Sequence, residues 1–312
     1  MKNKTAKRNV TVAATQISFT WDLEKNLAKA EAIVREAAAK GAQIILLPEL
    51  FETPYFCIQP DEKFFDLASP VEENVAVKKF QAIAKELEVV LPISFYERVN
   101  KARYNSVAII DADGSILGVY RKVHIPDSPG YFEKFFFNPG DTGFKVWKTR
   151  YACIGSGICW DQWFPETARC MAVMGAELLF FPTAIGTEPQ DPKIISTKHW
   201  HSVQKGHAAA NVMPVIGSNR YGKETYKDIL NVDAKDIEIT FYGSSFISDE
   251  HGQMVELAKE NEDSILIHTF DLDEIERTRT SWGLFRDRRP ELYQPLMTSD
   301  GILTNYSNRN NY

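Results

Sequence analysis

Apolar positions along the chain change period repeatedly, and each change marks an element. Residues 9–16 form a β-branched, largely apolar run that predicts a strand. Leu23, Leu27, Ala30, Val34 and Ala37 then recur at helical spacing, with Asp22 as N-cap and Gly41 as stop. Residues 43–48 are a short continuous apolar stretch, the pattern of a central strand covered on both faces. Helical spacing returns over 71–88, followed by a strand over 89–96. Runs at 104–110 and 116–121 flank Asp111-Ala-Asp-Gly114, a hairpin signal.

The second part repeats this order. Residues 151–158 read as a buried strand, and Pro165 and Glu166 suit the first turn of a helix that Gly175 stops. Gly175-Ala-Glu-Leu-Leu-Phe-Phe-Pro182 then parallels Gly41-Ala-Gln-Ile-Ile-Leu-Leu-Pro48. A helix over about 195–211, a strand over 213–219, and hairpin arms 240–248 and 253–258 follow. A last strand, 264–271, and a short charged helix complete the pattern. Each half runs strand, helix, strand, helix, strand, hairpin. The expected fold is therefore α/β: two sheets face to face with helices outside, a four-layer α-β-β-α sandwich of two pseudo-repeated halves. No linker separates the halves, so the expectation is one domain over 1–312, with its core at about 9–280. The aromatic and basic stretch 281–293 opens a C-terminal arm, 281–312, suited to a contact in a homo-oligomer, a dimer or larger; its end, 304–312, is polar and expected to fray.

Composition narrows the function. The chain is 44% hydrophobic and 25% charged, with a formal net charge of -6, which argues against nucleic acid and anionic membrane as partners. No apolar run is long enough to span a bilayer, and the basic start, Met1–Arg8, lacks the apolar core of a signal peptide. The 4 cysteines have no framework spacing and no CxxC, which fits free thiols in a reducing cytoplasm.

The candidate chemistry lies where apolar strands end. Glu49 follows a strand directly and is surrounded by apolar and aromatic residues, where a carboxylate is costly unless paired. Lys122 follows a hairpin arm. Cys159 falls between a strand and a helix start, where backbone dipoles favour a thiolate and the Trp160 N–H is free for an oxyanion. Taken singly, these read equally as a solvated loop acid, a surface lysine and a small core thiol. Together they supply a nucleophile, a base and a cation, although spacing alone does not bring them together.

The motifs Leu47-Pro48-Glu49-Leu50-Phe51, Tyr120-Arg121-Lys122-Val123-His124 and Gly157-Ile158-Cys159-Trp160-Asp161 resemble, in order and over nearly the whole chain, the nitrilase superfamily of carbon–nitrogen hydrolases. That resemblance implies a Glu49-Lys122-Cys159 triad, with Glu133 supporting Lys122, the Trp160 N–H holding the oxyanion, and no metal or organic cofactor. Within the superfamily, Cys159–Glu166, Asn138–Phe144 and Phe285–Pro290 are similar to the branch of N-carbamoylputrescine amidohydrolases. The implied substrate is a small cationic ureido compound, cleaved through a thioester; β-ureidopropionase- and ω-amidase-like activities are the alternatives. Relatives acting on N-carbamoyl-D-amino acids carry an arginine pair where this chain has Gln162 and Trp163, so a substrate carboxylate would lack its fork-shaped partner. A cationic tail wants a carboxylate and apolar walls: Glu188 is the candidate anchor, Asp191 the second, and Tyr55 and Trp160 the candidate walls. Two other classes fit these residues less well. A zinc amidohydrolase would need the cluster His199, His201 and His207, but positions two apart do not share a helix face. A dinucleotide-binding module would need more than Gly155-Ser-Gly157.

Overall fold

The computed structural model describes residues 7–191, 193–227 and 236–302; most of the basic start and the polar end 304–312 lie outside the described residues. β1 (Asn9–Gln16) sends Val10, Val12 and Ala14 into the core between two sheets and Ala13 towards the covering helices, the period-two pattern of a strand buried on both faces. α1 (Leu23–Ala39) begins at Asp22, whose side chain accepts from Lys25 N at 3.2 Å. After β2 (Ile44–Leu46), α2 (Val75–Leu87) starts at Val75 rather than Val71, because Asn74 caps it through Val77 N at 2.8 Å. β3 (Leu91–Val99), β4 (Ala102–Ile110) and β5 (Ile116–Arg121) form a meander. Two unforeseen elements follow, α3 (Glu133–Phe136) and β6 (Val146–Lys148).

The second half contains β7 (Cys153–Ser156), α4 (Pro165–Val173), β8 (Leu178–Thr183), α5 (Thr197–Asn211) and β9 (Val215–Asn219). Then come β10 (Tyr221–Tyr226), β11 (Ile237–Tyr242), β12 (Phe246–Ser248), β13 (Met254–Leu257), β14 (Ser264–Asp271) and α6 (Leu272–Trp282). One sheet layer has the order β14-β1-β2-β3-β4-β5, with β2 joined to β3 by Ile45 N to Val90 O at 3.0 Å and Val90 N to Gln43 O at 2.8 Å. The other has the order β13-β12-β9-β8-β7-β6. Pairing β1 with β7, β2 with β8, β3 with β9, β4 with β12 and β5 with β13 makes the two orders coincide. α1 and α2 cover one outer face, α4 and α5 the other, and the sheets share a core between them. The α-β-β-α sandwich and its repeat are as the sequence pattern predicts.

The halves differ in one connection. In the first, β3 passes to β4 through the tight turn at Asn100 and Lys101, with Asn100 at φ +52°. In the second, the stretch expected as one strand over 240–248 breaks at Gly243 and Ser244, at φ +57° and +52°. Two successive left-handed residues turn β11 away, and it pairs with β10 as a separate hairpin. That hairpin grips the segment after β8: Tyr242 N donates to Ile185 O at 3.1 Å and Thr187 N to Thr240 O at 3.0 Å. In the C-terminal arm, Phe285 packs beneath the Arg169 and Arg279 guanidiniums, while Trp282, Leu292, Leu296 and Met297 are exposed. Among the described residues, no helix is long and apolar enough to cross a membrane.

Candidate active site

Glu49, Lys122, Cys159, the segment 184–188 and Arg220 all lie just beyond strand ends: β2, β5, β7, β8 and β9 respectively. In open α/β sheets ligands bind at the carboxyl edge, because there the loops diverge and backbone groups are unpaired. Hydrogen bonds across the sheet interface fix the two halves in register at this edge. Ser218 Oγ donates to Leu46 O at 2.9 Å and accepts from Thr15 N at 3.0 Å; Glu49 N donates to Thr183 O at 3.4 Å.

Lys122 and Glu49 are fully buried, and the Lys122 Nζ lies 3.0 Å from Glu49 Oε1 and 2.7 Å from Glu133 Oε2. Asn105 Nδ2 donates to the same Glu49 Oε1 at 2.7 Å, and the Tyr55 hydroxyl donates to Glu133 Oε1 at 2.7 Å. Both Glu133 oxygens are thus occupied, whereas Glu49 Oε2 is buried without a partner. Of the two carboxylates, Glu49 alone keeps an oxygen free to take a proton. Burial pulls the Lys122 ammonium down, but Glu133 and Glu49 outweigh it and hold the group well above the ordinary lysine range. Burial pushes Glu133 up to about 7, with Lys122 pulling the other way.

Cys159 opens a short 3-10 turn, Cys159–Trp163, at φ +41°, a left-handed conformation unusual for a side chain of this kind. The turn is fastened by the buried carboxylate of Asp161. Its Oδ2 accepts from Ile158 N at 3.0 Å and the Tyr120 hydroxyl at 2.8 Å, while its Oδ1 accepts from His124 N at 3.0 Å and lies 2.8 Å from His124 Nδ1. Tyr120 and His124 flank Lys122 in sequence, so Asp161 joins the cysteine turn to the lysine segment. The thiol sits 3.8 Å from Ala184 O. Burial, then the charge of Glu49, push it well above the ordinary thiol range, against the pull of Lys122. The thiolate-favouring setting expected from the sequence is therefore not found: one 3-10 turn is too short for its dipoles to offset the desolvation of the thiol. The Trp160 N–H precedes the first bond of that turn, Asp161 N to Ile158 O at 2.9 Å.

A cavity of about 410 Å³ opens onto Cys159. Trp160, Trp163, Tyr131 and Ile185 form apolar walls; Glu133, Glu188 and Asp127 bring carboxylates; among the described residues the lining contains no Arg or Lys. Glu188 is half-buried, and burial pushes its carboxyl up against the opposing hydrogen bond from Gln190. Two expected residues are placed elsewhere. Tyr55 is wholly buried behind Glu133 and is no wall, because its hydroxyl is drawn to that carboxylate. Asp191 is exposed, and its Oδ1 accepts from Lys193 N at 3.0 Å in a local turn. Gln162, at one of the two positions where an arginine pair would lie, is buried away from the cavity: its Oε1 accepts from Trp200 Nε1 at 2.6 Å. His201 and His207 each bond a backbone carbonyl, and His199 lines the cavity beside Trp163. Sequence reasoning missed Asn105, Asp161, Asp127 and Arg220. Arg220 carried the same signal as Glu49, a charge directly after an apolar strand.

The Carbon-nitrogen hydrolase family matches residues 11–280. The chain is 56% identical over 292 residues to an N-carbamoylputrescine amidase of Oryza sativa subsp. japonica, covering 94% of this chain and 96% of that protein. It is 53% identical over 289 residues to a citrullinase of Francisella tularensis, covering 93% and 98%. A solved carbon-nitrogen hydrolase from Helicobacter pylori G27 matches with a TM-score of 0.86 at 37% identity, covering 93% of this chain and 99% of that one.

Proposed function

Since the chain belongs to the carbon–nitrogen hydrolase family, we propose that it cleaves N-carbamoylputrescine to putrescine, carbon dioxide and ammonia. The observation that carries the choice of substrate is the charge of the cavity, where Glu188 and Asp127 stand without an Arg or Lys among the described lining residues. A linear ammonium tail would pair with Glu188 while its methylenes lie along Trp160 and Trp163. Citrulline presents the same ureido group but adds a carboxylate, which finds no Arg or Lys among the described residues of this lining.

Glu49 Oε2 takes the Cys159 proton as the sulfur attacks the ureido carbon, forming a C–S bond. The carbonyl oxygen becomes an oxyanion held by the Lys122 ammonium and the Trp160 N–H. Glu49 returns the proton to the departing nitrogen as the C–N bond breaks, leaving a thioester. It then takes a proton from the attacking water and delivers it to the Cys159 sulfur as the C–S bond breaks, and the resulting carbamic acid loses carbon dioxide to release the second nitrogen product. Asn105 and Lys122 fix the Glu49 carboxylate; Glu133, oriented by Tyr55, fixes the lysine. Two carboxylates share one ammonium, so the thiol proton is transferred during attack rather than lost beforehand. The test is a steady-state panel of N-carbamoylputrescine, citrulline, N-carbamoyl-β-alanine and a glutaric monoamide. The reading requires the highest kcat/KM for N-carbamoylputrescine; a higher value for citrulline would reassign the substrate.

A further inference from the structure

Arg220 is among the largest fully buried side chains of the described residues and is not one of those lining the cavity. It begins where β9 ends and reaches across to the loop that follows β2. Its Nη2 donates to Glu49 O at 2.8 Å and Leu50 O at 3.1 Å; its Nη1 donates to Thr53 O at 3.3 Å and Glu224 Oε1 at 2.9 Å. Glu224 completes the clamp from β10, its Oε2 accepting from Tyr55 N at 2.7 Å and the Tyr226 hydroxyl at 2.8 Å. One ion pair therefore holds the segment 49–55 at its start, middle and end. The base Glu49 stands at one end of that segment, and at the other stands Tyr55, which orients Glu133. Leu50, at φ +48°, reverses the chain immediately after the base, and its N–H goes to Ser94 Oγ at 3.0 Å.

Stability does not account for this arrangement. A buried ion pair is often replaceable by apolar residues at no loss, because its desolvation cancels its attraction. Here the Arg220 Nε–H is left without a partner, a further cost. What the guanidinium does supply is directional: its two terminal nitrogens divide the contacts, Nη2 meeting the carbonyls of Glu49 and Leu50 while Nη1 reaches Thr53 O and Glu224 Oε1, a spread that the single nitrogen of a lysine does not cover. The rings of Phe19, Phe241 and Tyr55 confine it, with centroids 4.8, 5.3 and 5.9 Å from its central carbon.

We propose that the buried Arg220–Glu224 pair is a positioning device that sets the carboxylates of Glu49 and Glu133 relative to Lys122 and Cys159. The role rests on Glu49 being the base. A displacement of about 1 Å at a reacting group can lower turnover about a hundredfold.

The test compares wild type, Glu49→Gln, Arg220→Lys and the double variant Arg220→Met/Glu224→Gln with N-carbamoylputrescine, using circular dichroism and thermal unfolding to establish folding. The double variant should fold, lose about 10- to 100-fold in kcat and keep KM within about twofold, since the cavity is untouched. Its kcat/KM profile should also shift at the acid limb, because Tyr55 no longer holds Glu133. Arg220→Lys, which keeps the charge pair but not the fork, should fall between the two. Wild-type kcat and an unmoved acid limb in whichever of these variants folds would overturn the positioning role while leaving Glu49→Gln inactive. An active Glu49→Gln enzyme, or an inactive wild type, would overturn the assignment of the base and with it this inference.

Discussion

Replacing Glu188 with Gln removes one charge from the cavity while keeping shape and hydrogen-bonding capacity. A substrate ammonium about 4 Å from a carboxylate gains about 4 kcal/mol at an effective dielectric near 20. Glu188 is only half-buried, so solvent screens the pair towards the value of about 1 kcal/mol seen at exposed sites. The expectation between these limits is about 2 kcal/mol, or about thirtyfold in kcat/KM. The assay is a cycle of enzymes and substrates: wild type and Glu188→Gln, each with N-carbamoylputrescine and with N-pentylurea, in which a methyl replaces the ammonium. Wild type should prefer the charged substrate by about thirtyfold, and the variant should show nearly equal values. If both substrates lose the same factor in the variant, the carboxylate shapes the cavity without binding the tail, and the charge argument for this substrate fails.

Cys159→Ser should give a folded protein without detectable hydrolysis, whereas wild-type activity should survive dialysis against EDTA; the reverse pattern would point to metal chemistry. Glu133 must be ionised to hold Lys122, and its carboxyl is pushed up to about 7, so kcat/KM should rise with pH through an acid limb near 7. No alkaline limb should arise from Lys122 in the neutral range, because that ammonium is held well above ordinary lysine. In stability the sign is opposite: the raised Glu133 carboxyl favours folding below its unfolded value of about 4.5, and that contribution is lost as pH rises through about 7. The Tyr55 hydroxyl pulls Glu133 down, so Tyr55→Phe should move the acid limb to higher pH, which a pH–rate profile would register. Asp161→Ala strands the Tyr120 hydroxyl and the Ile158 and His124 N–H groups, and should destabilise the fold by about 3 kcal/mol or more in urea unfolding.

Hydrophobic period made the sandwich and its internal repeat legible, because successive residues such as Val12 and Ala13 face opposite covered sides of the strand. Glu49 and Lys122 were visible as charges stranded beside apolar strands, and the structure shows the pairing that makes such positions tolerable. Groups whose role depends on distant partners were not legible. Tyr55 looks like a wall in sequence and is a hydrogen-bond donor in the fold; Asp191 is as acidic as Glu188 but turns into its own loop. The β10–β11 hairpin was hidden because its second arm runs into β12 with only a backbone reversal between them. The state of Cys159 was misread because local dipoles are visible in sequence and desolvation is not.

The pairing of β1 with β14, from Asn9 opposite Asp271 to Gln16 opposite Ser264, has a bearing on biosynthesis. The sheet whose edge carries Glu49 is finished by the strand the ribosome delivers at the end of the second half. Until then β1 presents an open edge of 8 residues, a template on which other nascent chains can pair. Protein released before residue 264 should accumulate in inclusion bodies, even though every residue of the reactive centre has already been translated.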